Sequence, residues 1–103
     1  MATDGLVFGL GVCLDEERPS SALEETRSCI RMLEEALAEA GCTIADVAKV
    51  TVYLADRDDF AEMNEAYREA WTPPDYPLRF VVYSGLAPGV RVMMDATAVK
   101  QEV

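Results

Sequence analysis

Hydrophobic and polar positions recur along this chain with two different periods, and the switches between them divide it into segments. The first apolar run, residues 5–14 (GLVFGLGVCL), is short and nearly continuous, bounded by Asp4 and the polar stretch DEERPSS. It reads as a strand buried on both faces or nearly so. Gly9 and Gly11 within it are read as a bulge; a close backbone approach, or a ligand lying against bare backbone, are the alternatives. Ser21 and Glu24 then form a capping-box pattern. Beyond them Leu23, Thr26, Ile30, Leu33, Leu37 and Ala40 recur at three- and four-residue steps, one apolar stripe of a helix. Glu24, Glu25, Arg27, Arg31, Glu34, Glu35 and Glu39 fill the rest of its surface and read as a solvated face. Gly41 stands where a helix end wants a left-handed residue.

Period two returns at residues 49–54, where Val50, Val52 and Leu54 share one strand face and Thr51 and Tyr53 the other. Thr43 and Asp46 form a second capping-box pattern just before it. A second helix follows in DRDDFAEMNEAYREAW, capped by Asp56 or Asp58, with Phe60, Met63, Tyr67 and Trp71 (or Ala70) as its buried stripe. Pro73 and Pro74 stop it. Two further strands, 78–84 and 90–99, flank the turn signal Pro88-Gly89 and are expected to pair antiparallel. The order strand, helix, strand, helix, strand, strand predicts an α+β fold, a mixed sheet with both helices packed on one face. The opposite sheet face also carries apolar residues and no helix remains to cover it, so an oligomer is expected.

Composition narrows what such a fold does. The chain has 103 residues, one domain's worth, and half of them are hydrophobic. Its net charge of −10 argues against nucleic-acid partners and against anionic membranes. No stretch approaches the ~20 apolar residues of a membrane span. There is no histidine, which removes the usual general base and the commonest metal ligand. Cys13, Cys29 and Cys42 are far apart and lack zinc or disulfide spacing, so reduced thiols in a cytoplasmic protein are expected.

Three residues then stand out. Arg79 and Asp95 place charge in apolar strands, where it is costly unless paired or used. Strand alternation groups Arg79 with Val81 and Tyr83, opposite Phe80 and Val82. The guanidinium fork matches a carboxylate in two-point fashion, so Arg79 either pairs with a protein carboxylate, Asp95 included, or receives a substrate acid. On the residues alone a structural salt bridge is favoured. Asp95 reads as solvent-facing, ion-paired or an acid/base group. Asn64, at the border of the second helix's stripe, reads as a boundary residue or a ligand-binding amide.

In order and spacing, GLVFGLGVCLD, AGCTIADVAKVTVYLADRDDFAEMNEAY and PLRFVVYSGLAPGVRVMMDATAV resemble the RidA/YjgF family across nearly the whole chain. The resemblance implies a single domain spanning residues 1–103, of a chorismate-mutase-like fold, lacking the family's usual first strand and assembled as a homotrimer with sites between subunits. It implies hydrolysis of amino-acid-derived imines and enamines to a 2-oxo acid and ammonia, with no metal or organic cofactor. By position, Arg79 would bind the substrate carboxylate and Asp95, in place of a glutamate, would handle water. Asn64 and Phe60 would line the cleft from the neighbouring subunit, and Val81 stands at the family's cysteine. The alternatives are a non-catalytic trimer that binds small carboxylates, and, by fold analogy, turnover of a chorismate-like diacid. The latter needs a second cation near Arg79, for which Arg91 and Arg68 are the candidates.

Overall fold

A computed structural model describes residues 2–3, 5–15 and 18–100, the first two as backbone only. The strands are β1 (Ala2–Thr3), β2 (Leu6–Val12), β3 (Val47–Leu54), β4 (Leu78–Tyr83) and β5 (Val92–Val99); the helices are α1 (Ala22–Glu39) and α2 (Phe60–Ala70). Short 3-10 turns, Ile44–Asp46 and Arg57–Asp59, lead into β3 and α2. The architecture is the expected α+β one, with a two-residue β1 added ahead of the first expected strand.

The sheet order is β1-β2-β5-β3-β4. This corrects the expected pairing of the last two strands: β3 lies between β4 and β5, parallel to the first and antiparallel to the second. The reason is the crossover. α2 carries the chain from β3 back over the sheet, so β4 returns alongside β3 in the same direction. β5 then fills the gap between β2 and β3, antiparallel to both.

Both helices cover one face. Under them lie Val7 of β2, Val50, Val52 and Leu54 of β3, and Met94, Ala96 and Ala98 of β5, with Leu33 and Leu37 of α1 and Met63 of α2. The start of α1 is fixed by the Ser21 side chain, which accepts the Glu24 N–H at 3.2 Å. The reciprocal half of that capping box is replaced by an ion pair between Glu24 and Arg27. Arg27 also reaches Glu69 of α2, so part of the charged surface joins the two helices.

Two expectations about α1 are corrected. The β2–β5 register runs unbroken, and the irregularity falls in β3 between Val47 and Lys49, so Gly9 and Gly11 make no bulge. They admit the helix instead: a Cβ on Gly11 would sit 2.3 Å from the Cys29 carbonyl oxygen, and one on Gly9 3.2 Å from Leu33. Glu25 is not solvated but fully buried. Its carboxylate accepts the backbone N–H groups of Arg91 at 2.8 Å and Val92 at 3.1 Å, and the Arg91 guanidinium at 2.9 Å. A charge is tolerated inside a protein only with such a complete set of partners.

The face away from the helices is open. Leu6, Phe8 and Leu10 of β2, Leu78, Phe80 and Val82 of β4, and Val99 of β5 are all exposed there. Lys49 lies over the Phe80 ring on the same face, 5.3 Å from its centroid.

Candidate functional site

Pleating decides which of the sequence-selected residues meet. In β4, Arg79 and Val81 turn toward the helices while Leu78, Phe80 and Val82 turn to the open face. In β5, Met94 and Ala96 face the helices, which puts Asp95 on the open face. Arg79 and Asp95 therefore lie on opposite faces, two strands apart, or about 10 Å across the sheet. The intrachain salt bridge favoured on the residues alone is absent: Arg79 and Asp95 each have other partners.

The Arg79 Nη1 donates to Asn64 Oδ1 at 2.7 Å. Its guanidinium lies 4.6 Å from the ring centroid of Tyr67 and 5.8 Å from that of Phe60. α2 supplies all three contacts because Phe60, Asn64 and Tyr67 are spaced to share one helical face. The aromatic faces stabilise the cation and one amide holds its plane, leaving other donors of the fork without a partner among the described residues. Asn64 and Phe60 thus reach Arg79 within one chain. Val81 is half-buried and packs against the core beside them.

Arg79, Asn64 and Tyr67 line a cavity of about 320 Å³ with Arg68, Tyr76 and Pro77. Of the two candidate second cations, Arg68 lies here, whereas Arg91 is engaged by Glu25. Tyr67 is a residue that sequence reading placed only in the core stripe. It is buried, stacked on Trp71 at 4.6 Å between centroids, and its hydroxyl has no hydrogen-bond partner among the described residues. Burial pushes its phenol up to about 12. The available signal was its place one turn beyond Asn64, on the face that an arginine in the adjoining strand must meet.

Asp95 has different surroundings. Its Oδ2 accepts from the Tyr53 hydroxyl at 3.3 Å. The Asp95 charge, with burial and this hydrogen bond, holds the Tyr53 phenol above its usual range. Across the ladders Asp95 is opposite Leu10 on β2 and Thr51 on β3, at the centre of the open face. The thiols contribute nothing to either place: all three cysteines are buried and free. Burial raises the Cys29 thiol far above its ordinary range, which makes it core, as expected.

A family model described as Endoribonuclease L-PSP matches residues 3–100. The chain belongs to the RidA/YjgF family. A 2-iminobutanoate/2-iminopropanoate deaminase of Mus musculus is 36% identical over 83 residues, covering 80% of this chain and 61% of that protein. A mitochondrial protein of Schizosaccharomyces pombe is 38% identical over 87 residues, covering 82% of this chain and 68% of its own length. The chain thus matches 61% and 68% of the length of these two relatives. The crystal structure of a YjgF family member from Neisseria meningitidis superposes with a TM-score of 0.90 at 33% identity, covering 99% of this chain and 85% of the other. The α+β fold of RidA/YjgF proteins is therefore this chain's fold. Since one relative is named mitochondrial, membership does not by itself imply a cytoplasmic location. No helix among the described residues is long and apolar enough to cross a membrane.

Proposed function

We propose that the chain is a hydrolytic deaminase of reactive imines and enamines derived from amino acids, yielding a 2-oxo acid and ammonia. The observation that carries the reading is the Arg79 guanidinium, propped by Asn64, stacked on Tyr67 and lining a cavity without a carboxylate partner among the described residues. Such a fork receives the carboxylate of an imino acid. Membership of a family with relatives named 2-iminobutanoate/2-iminopropanoate deaminase supplies the reaction class.

The chemistry asks little of the protein. An enamine takes a proton on carbon to become the iminium. Water adds to the iminium carbon, and the resulting carbinolamine expels ammonia as the C–N bond breaks and the carbonyl forms. Orientation of substrate and water supplies most of what a labile substrate needs. Asp95 is the proposed acceptor of the water proton, which it returns to the amine nitrogen so that ammonia leaves as the hydroxyl loses its proton and becomes the carbonyl. Its place on the opposite sheet face from Arg79 means that one site takes the two groups from two copies, in keeping with the proposed homotrimer and its exposed apolar face. No cofactor enters this scheme, and the proposed location is cytoplasmic.

The test is ammonia release from 2-aminoacrylate generated in situ. The wild-type chain is expected to accelerate it over buffer and Arg79→Ala to abolish the acceleration. No acceleration by the wild-type chain overturns the reading. The position of Asp95 also favours a second reading: a copy by itself holds the acid anchor without the water-handling group, as in a non-catalytic carboxylate-binding protein. Carboxylate binding that depends on Arg79, without turnover, would establish that alternative. The net charge of −10 and the lack of histidine speak against ribonuclease activity.

A further inference from the structure

We propose that the ligand of the Arg79 cavity is a diacid, a 2-oxo or 2-imino acid carrying a second carboxylate, with Arg68 as the residue that selects it. This rests on the reading of Arg79 as acid anchor and goes beyond it in substrate class. Arg68 lines the same cavity, is exposed, and has no ion pair or hydrogen bond among the described residues. No carboxylate side chain among the described residues lines that cavity, in a chain with 19 acidic residues. Arg27 and Arg91, by contrast, are paired with glutamates. A cation in the last turn of α2 also suits the helix dipole, which accounts for the charge but not for its place over the cavity.

The spacing fits as well. Arg68 follows Asn64 by four residues on α2, about one helical turn or ~6 Å along the face, and Asn64 holds the Arg79 guanidinium. The two carboxyl carbons of a five-carbon diacid lie on the order of 5 Å apart when the chain is extended, from bonds of about 1.5 Å. The Tyr67 side chain forms part of the same wall, and its buried hydroxyl has no hydrogen-bond partner among the described residues.

Isothermal titration of the full chain with 2-oxoglutarate and with 2-oxopentanoate isolates the second carboxylate, since both acids have five carbons. The diacid is expected to bind about tenfold tighter or more, the worth of one charge-assisted pair. In Arg68→Gln its affinity falls to that of the monoacid, Arg68→Lys retains part of the preference, and Arg79→Gln binds neither. Equal affinities in the wild-type chain, or a preference that survives Arg68→Gln in a variant with unchanged melting, overturn the diacid assignment. They leave the acid-anchor reading standing if both acids still require Arg79. Failure of both acids to bind the wild-type chain overturns both.

Discussion

At Arg79 one donor group is held by Asn64 and the cation rests on an aromatic ring, so the residue is oriented before any ligand arrives. Lysine offers a point charge in place of that fork. Arg79→Lys is therefore expected to weaken carboxylate binding by about tenfold or more, measured by titration with a 2-oxo acid. At Asp95 the expected loss falls on turnover: Asp95→Asn should lower the deamination rate by about a hundredfold while leaving acid binding at Arg79. Equal rates for the two chains would remove Asp95 from the chemistry. Tyr67 yields a prediction of stability. Its folded phenol ionises near 12 against an ordinary 10, so the folded state holds its proton longer than the unfolded one. The contribution of Tyr67 to stability is fully present below pH 10 and is lost as pH rises toward 12. Tyr67→Phe should blunt that alkaline loss by about 2–3 kcal/mol, and at neutral pH should be neutral or stabilising by about 1 kcal/mol. Urea melts of both chains at pH 7 and above pH 10 check the pair of effects. The site was legible where residue type was unusual for its place, as with Arg79, Asp95 and Asn64. It was not legible where function and core share a side chain. Tyr67 satisfied the helix stripe so well that only its place one turn beyond Asn64 marked its second role, and the pairing of Arg79 with Asn64 rather than Asp95 depends on strand order.

Among the elements, the helices and strands apart from the two-residue β1 followed from periodicity to within a few residues, because each buries one face and the pattern records which. What periodicity cannot carry is the sheet's order. The β4–β5 connection looks like a hairpin by its turn residues, yet β3 takes the place between them. Adjacent apolar strands offer similar side chains to either neighbour, and only the crossover through α2 decides. The packing of α1 on β2 was equally hidden, since a glycine signals bulge and close approach alike. Gly11→Ala should destabilise the fold by about 1–3 kcal/mol or more, the cost of overpacking, because the obstructing atom is a backbone oxygen. Gly9→Ala meets side-chain atoms rather than backbone, the nearest a Leu33 methyl at 3.2 Å, and should cost less. Thermal melts of the two single variants would reveal the order. Glu25 ties α1 to the head of β5 over 66 residues of chain. Its removal in Glu25→Ala leaves two backbone N–H groups unpaired and the partly exposed Arg91 guanidinium with the Pro19 carbonyl, and about 2–4 kcal/mol of stability is expected to go with it.

For the molecule as a whole, the two sheet faces differ in kind. One is sealed by helices; the other sets exposed leucine, phenylalanine and valine side chains around Asp95. A second copy of the chain is the proposed cover, and light scattering should show a trimer. Leu10→Glu, placed directly across from Asp95, should shift the chain toward monomers and stop turnover, yet leave acid binding at Arg79 within the folded monomer. The opposition of Arg79 and Asp95 has a further consequence under the proposed reading. Each copy is half of two different sites, so specific activity should decline on dilution, and the rate should rise faster than linearly with protein concentration. Inactive chains should also rescue one another. In an equal mixture of Arg79→Ala and Asp95→Asn chains, about a quarter of the interfaces would join an intact arginine to an intact aspartate, by random pairing around a closed ring.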